Sequence, residues 1–204
     1  MNDLEFVKAS LSCLDPVFKE FKKAYNLKSN RYIRNWHACA NKMESLLEKD
    51  LGFSCYVTIR KDKDHALYDM TFDGAANVPE EHFSESELEI TVNLSPEMYT
   101  QQLFVPESTW KKYKQHFTLT FIHELTHSLQ FDNGDTQNDY EDYFSSPFEI
   151  DAYSSELAFD MFLYAKPKTQ CEAFMRYSKI KDRKIFEKFT NLTEKKYGYL
   201  KNNK

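Results

Sequence analysis

Phe121-Ile122-His123-Glu124-Leu125-Thr126-His127-Ser128-Leu129-Gln130 sets two histidines four residues apart inside a largely apolar run. In a helix, positions i and i+4 share one face a turn apart, so both imidazoles can reach a single ion. Zinc takes neutral imidazole nitrogens at about 2.0–2.1 Å. Glu124, directly after the first histidine, can stand beside such an ion without binding it and take the proton of a zinc-bound water as that water attacks a carbonyl. This is the H-E-x-x-H arrangement. With 6 histidines in 204 residues, composition alone yields the five-residue pattern in roughly 0.015 chains of this make-up. The competing reading has His123 and His127 as ordinary polar helix positions with Glu124 on the surface. It is weakened because the surrounding helix is apolar almost all round apart from that face, as a buried helix should be.

Downstream, Ser146-Pro147 opens a second helix, with proline at its favoured first position, running to about Ala165. A catalytic zinc site keeps three protein ligands and one open position. On this helix Glu149, Tyr153, Glu156 and Asp160 share one side, flanked by apolar residues. The candidates are Glu141, Glu149, Asp151, Glu156 and Asp160; Glu149 is the candidate third ligand, with Asp151 and Glu156 as alternatives, and Glu141 falls in the acidic loop before the helix. A different role competes for Glu149, because Ser146-Pro147-Phe148-Glu149 also spells a capping box, in which the glutamate bonds back to the Ser146 amide.

Upstream, the middle of the chain reads as strands. Phe53, Cys55, Val57 and Ile59 alternate with polar neighbours; Tyr68, Met70 and Phe72 do likewise and stop at Asp73-Gly74. Leu88, Ile90, Val92 and Leu94 alternate with Glu89, Thr91 and Asn93 and stop at Pro96, which predicts one buried and one polar face. The N-terminal quarter reads as two helices. Leu4, Val7, Leu11, Leu14 and Phe18 recur at helical spacing, complicated by Pro16; Trp36, Ala40, Met43, Leu47 and Leu51 form a second stripe ended by Gly52. Ser108 is placed to cap the histidine-bearing helix. Phe174, Tyr177, Ile180, Ile185, Phe186 and Phe189 predict one or two final helices, with a frayed lysine-rich tail after Thr193. The expectation is a single α+β domain over 1–204: helices about 3–51, a small antiparallel or mixed sheet about 53–95, and helices about 108–196.

The histidine-bearing segment resembles the active-site helix of the zincin metallopeptidases. Pro147-Phe148-Glu149-Ile150-Asp151-Ala152-Tyr153 resembles the glutamate-bearing helix of their gluzincin branch, closest to the compact phage and bacterial members. The resemblance spans about forty residues, Thr118 to Ala158. It implies zinc held by His123, His127 and a downstream glutamate, with Glu124 as the base. The metzincin extension is missing, since Gln130 and Asn133 stand where that pattern has a glycine and a third histidine. Tyr153 stands where the thermolysin-like pattern has an aspartate, the usual carboxylate partner of a zinc-bound histidine. In zincins an edge strand pairs with extended substrate, and Glu87–Ser95 is placed to be that strand or an ordinary member of the sheet. Tyr140, Tyr143 and Tyr153 are candidate donors to a developing oxyanion. His116, His37, His65 and His82, and the cluster Asp139, Glu141 and Asp142, read as solvated positions.

Composition narrows the rest. Apolar residues make up 41% and aromatics 16%, enough for a core, and four glycines argue against a loop-rich chain. A net charge of -5 offers no basic stripe for nucleic acid. Cys13, Cys39, Cys55 and Cys171 show no C-x-x-C spacing, which fits isolated buried thiols in a reducing compartment. With no signal-like start and no membrane-length apolar run, the expected setting is cytoplasmic, without a membrane. The expected function is hydrolysis of a peptide or protein substrate with zinc as cofactor. A zincin-fold binding protein with structural or vestigial zinc, and a zinc hydrolase of a non-peptide amide, are the alternatives.

Overall fold

The computed structural model describes residues 3–26, 35–66, 69–77, 87–101, 103–133 and 143–203. Helices come first, then a three-stranded sheet, then helices, an α+β order. The chain divides into two compact units, Lys8–Phe121 and Met1–Val7 with Ile122–Lys204.

The expected N-terminal helix, which enters the first unit at Lys8, is broken. Helix α1 (Asp3–Ser10) gives way to a 3-10 turn at Leu11–Cys13 before α2 (Leu14–Asn26). Pro16 lies in the first turn of α2, where its missing N–H would have had no helical partner. Helix α3 (Trp36–Leu51) begins with the Asn35 side chain accepting from the Ala38 amide. It buries Trp36, Ala40, Met43, Leu47 and Leu51, and ends at Gly52 with φ +81°, a left-handed stop that glycine adopts without strain. The aromatic heart of this unit joins Phe21, Tyr25, Trp36 and Trp110; Phe21 and Trp36 stack at 5.9 Å, and Tyr25 meets Trp110 edge-on at 5.2 Å.

The sheet runs in the order β1 (Cys55–Lys61), β3 (Glu87–Leu94), β2 (Met70–Asn77), with β3 parallel to β1 and antiparallel to β2. It is therefore mixed. Glu87–Ser95 is not an edge strand: β3 is the central one, with both sides paired, so it has no free backbone to offer a peptide. The outer side of β1 is also engaged, since the Cys55 and Val57 amides donate to Glu48 and Glu44 of α3 at 3.3 and 2.8 Å. Such carboxylates blunt an edge against strand addition. Strand β1 keeps the expected alternation of buried Cys55, Val57 and Ile59 with exposed Tyr56, Thr58 and Arg60. Two other strand expectations fail. Asp73-Gly74 does not end β2, because both residues pair with Thr91 and Ile90. Nor does β3 keep a polar, open face: Thr91 and Asn93 are buried, and Asn93 donates to Asp73 Oδ2 at 2.6 Å and accepts from Arg60 at 2.5 Å. Cross-strand satisfaction overrides the turn preference of Asp-Gly and lets a polar residue sit inside. Tyr68 lies outside the described residues. Pro96, expected only to stop a strand, opens the short helix α4 (Pro96–Thr100).

Helix α5 (Glu107–Asp132) contributes its beginning to the first unit and the stretch from Ile122 to the second. It starts one residue before Ser108, which therefore lies in its first turn; the Pro106 carbonyl accepts from Thr109 and Trp110 instead. In the second unit follow a 3-10 turn at Tyr143–Ser145, α6 (Pro147–Tyr164), α7 (Glu172–Tyr177) and α8 (Arg183–Asn202). Helix α6 is buried on most of its circumference. Ile150, Tyr153 and Leu157 pack with Cys171, Tyr177 and Phe189, and the rings of Tyr177 and Phe189 stack at 4.1 Å. The tail after Thr193 is not frayed: α8 continues to Asn202 and buries Lys196 and Leu200.

All four cysteines are buried and free. Burial pushes the thiols of Cys13, Cys55 and Cys171 up to about 12 and that of Cys39 to about 11, with nearby acidic groups adding to the rise. Such shifts favour the protonated thiol at neutral pH.

Candidate metal centre

Every residue of the centre belongs to the second unit. Helix α5 places His123 and His127 on one face, with Nε2 atoms 3.1 Å apart. Helix α6 supplies Glu149 from its first turn. Glu149 Oε2 lies 3.4 Å from His123 Nε2, and Oε1 lies 3.4 Å from His127 Nε2. Among the described residues, these three form the one group of histidine, cysteine or acidic side chains able to hold a metal ion, and all three are buried. Four tetrahedral ligands at about 2.0–2.1 Å from an ion stand about 3.3–3.4 Å from one another. The observed separations of 3.1, 3.4 and 3.4 Å match that figure.

The capping-box alternative for Glu149 is not realised. Ser146 makes no side-chain cap bond, and its hydroxyl is buried without a hydrogen-bond partner. The Ser146 amide donates to the Tyr143 carbonyl at 3.3 Å. Glu149 is thus turned toward the histidines.

Protonation follows from the neighbours. The Gln130 amide nitrogen donates to the Phe148 carbonyl at 3.3 Å and to Asp151 Oδ2 at 3.2 Å, both of which only accept. Gln130 Oε1 therefore faces His127 Nδ1, 2.9 Å away, and that nitrogen must donate. Neutral His127 then presents a lone pair at Nε2. His123 Nδ1 faces Glu156 Oε2 at 3.5 Å, too long for a well-formed hydrogen bond, which aims its own Nε2 at the same point. Two imidazole Nε2 atoms and a carboxylate converge, and Glu149 Oε2 is buried without a hydrogen-bond donor. Such a group needs a cation, either a metal ion or a proton. These residues fit a metal.

Where a proton takes that place, charge follows it. Burial resists a charge on His123, but Glu149 and Glu156 outweigh it and raise the imidazole to about 9. Burial likewise resists ionisation of Glu149, but His123, His127 and the Tyr143 hydroxyl hold it down to about 2. Glu124 is buried, and burial pushes its carboxyl up against the pull of both histidines, with Glu149 and Glu156 adding to the rise. The Tyr153 ring lies 4.4 Å from that of His123, and its hydroxyl accepts from Arg176 at 3.2 Å.

The other expected positions separate clearly. Asp151 is engaged by Gln130 and by Lys196, which lies 2.6 Å from its Oδ1; Asp160 faces Lys166 at 3.4 Å. His37 and His116 are exposed helix positions, and His65 sits between Asp62 and Thr71. His82, Asp139, Tyr140, Glu141 and Asp142 lie outside the described residues. Gln130 and Glu156 are the neighbours that motif reading passed over as partners of the histidines. Their signal was spacing: Gln130 follows His127 by three, and Glu156 follows Glu149 by seven.

No protein-family model, curated protein or solved structure matches the chain.

Proposed function

We propose that this chain is a zinc-dependent hydrolase of the metallopeptidase type, in which His123, His127 and Glu149 hold the ion and Glu124 is the general base. The observation that carries it is the convergence of two imidazole Nε2 atoms and a buried carboxylate at tetrahedral spacing. Two nitrogens with one carboxylate suit zinc. When bound, zinc would polarise a carbonyl and bring the pKa of water near 7.

Glu124 does the proton work. Its carboxyl, raised by burial, lies nearer the operating pH than an exposed glutamate would, which suits a group that takes a proton from attacking water and returns it to a leaving amine. Gln130 holds the His127 ring by its Nδ1, and Glu156 faces the His123 Nδ1 at 3.5 Å. Glu156 thus takes the part of the carboxylate that the thermolysin-like pattern places at Tyr153. Tyr153 accepts from Arg176, which leaves its own proton to donate to a substrate oxygen. The resemblance to gluzincins supports a zincin-like fold and a peptide bond as the one cleaved.

The test is metal content. Full-length chain, loaded with zinc and dialysed, should hold about one equivalent, while His123→Ala and His127→Ala should lose most of it, because two protein ligands do not make the three of a catalytic site. Full retention of zinc by both variants would overturn the assignment.

A further inference from the structure

Lys196 is a lysine on the last helix, and it is buried. Lysine is almost never so placed unless its charge is paired. All three of its protons are used: Nζ donates to Asp151 Oδ1 at 2.6 Å, to the Asp151 carbonyl at 2.8 Å and to Ser155 Oγ at 2.7 Å. That leaves Asp151 Oδ2 to accept from the Gln130 amide at 3.2 Å, and Gln130 Oε1 to accept from His127 Nδ1 at 2.9 Å. The direction of every bond is forced. An ammonium only donates and a carboxylate only accepts, so the amide must present its nitrogen to Asp151 and its oxygen to the imidazole. Gln130, Asp151, Ser155 and Lys196 also line a cavity of about 380 Å³ beside Thr126 and Leu129. Lys196 can therefore be replaced without rebuilding a filled core.

We infer that Lys196, Asp151 and Gln130 act as positioning residues for His127, so that helix α8 sets the orientation of a metal-binding ring through two intervening side chains. The inference rests on the reading of His127 as a ligand. The ion pair holds the aspartate, the aspartate holds the amide, and the amide fixes which imidazole nitrogen carries the proton. With Lys196 removed, Asp151 keeps its bond from Gln130 but loses the charge that fixes its rotamer. With Gln130 removed, His127 is free to turn or to change tautomer. Outer partners of this kind typically change metal affinity by about 10–100-fold.

An ion pair that merely staples α8 to α6 would have different consequences, and coupling separates the two. Zinc affinity is measured on the full chain by competition with a chromophoric chelator, alongside thermal unfolding of the metal-free protein. Gln130→Met should weaken zinc by about 10–100-fold. Lys196→Met should weaken it by a smaller factor, and Lys196→Arg, which keeps charge and donors, should restore it. The double variant should bind no more weakly than Gln130→Met alone, because the lysine acts only through the glutamine. If Lys196→Met does not fold, Asp151→Asn takes its place in the same cycle. Unchanged zinc affinity in Lys196→Met with a lowered melting temperature would overturn the inference and leave a structural staple. Losses that multiply in the double variant would overturn it as well. A wild-type chain that binds no zinc would overturn the metal reading and this inference with it; a wild-type chain that binds zinc beside unaffected variants would overturn this inference alone.

Discussion

Two buried imidazoles and a carboxylate, each within 3.4 Å of the next, favour a shared cation. In the metal-free chain that cation is a proton. His123, raised to about 9, keeps its proton through neutral pH, and zinc must displace it. Calorimetry of zinc uptake at pH 7.5 in buffers of differing ionisation enthalpy should therefore report release of about one proton per ion; a slope near zero would contradict this. Stability of the metal-free chain should respond at both ends. The His123 contribution is fully present below its ordinary value of 6.5 and is lost as pH rises through about 9. The Glu149 contribution is present above its ordinary 4.5 and is lost as pH falls toward about 2. Melting temperatures of the metal-free protein should thus peak between about 4.5 and 6.5 from this pair, and the extra stability given by zinc should grow above that window. Ser146 offers a further check. Its hydroxyl is buried without a partner, so Ser146→Ala should be neutral or raise the melting temperature, whereas a working N-cap would cost about 0.5–2 kcal/mol. Ser-Pro-Phe-Glu spells a cap and a ligand equally well, and the choice depends on where α5 stands relative to the first turn of α6. One strand of sequence does not contain that distance.

Elements were legible wherever one local signal acted alone. The stripe from Trp36 to Leu51, the glycine stop and the proline start of α6 are each fixed by neighbours within a few residues. Gly52→Ala should cost about 1–2 kcal/mol from its left-handed backbone, with open space around the added methyl, as read from denaturant midpoints. The misread elements are those where distant partners decide. Asp73-Gly74 has the composition of a turn but lies across from Thr91 and Ile90, and β3 gained neighbours on both sides that alternation alone does not announce. The last helix misled most, because lysines hide a buried stripe of Phe189, Thr193, Lys196 and Leu200. Leu200→Ala should accordingly cost about 2–5 kcal/mol, as a core truncation does; a loss under about 0.5 kcal/mol, usual for an exposed tail, would restore the frayed-end reading.

At the scale of the whole chain, no described helix is long and apolar enough to cross a membrane, and the net charge is -5. The candidate centre lies wholly within one of the two compact units, where α5 and α6 bring together residues 26 positions apart in the chain, His123 and Glu149. The two histidines and Glu124 were legible because helical periodicity alone places them. The neighbours that meet them, Gln130 and Glu156, were not, because each depends on which faces of the helices come into contact. Hydrolysis of peptides with Glu124 as base is tested by cleavage of a peptide library by zinc-loaded wild type and Glu124→Gln, with zinc counted in the same samples. About one zinc is expected in both, and a rate lower by about 10²–10⁴-fold in the variant. Undiminished cleavage by Glu124→Gln, or none by the zinc-loaded wild type, would contradict it.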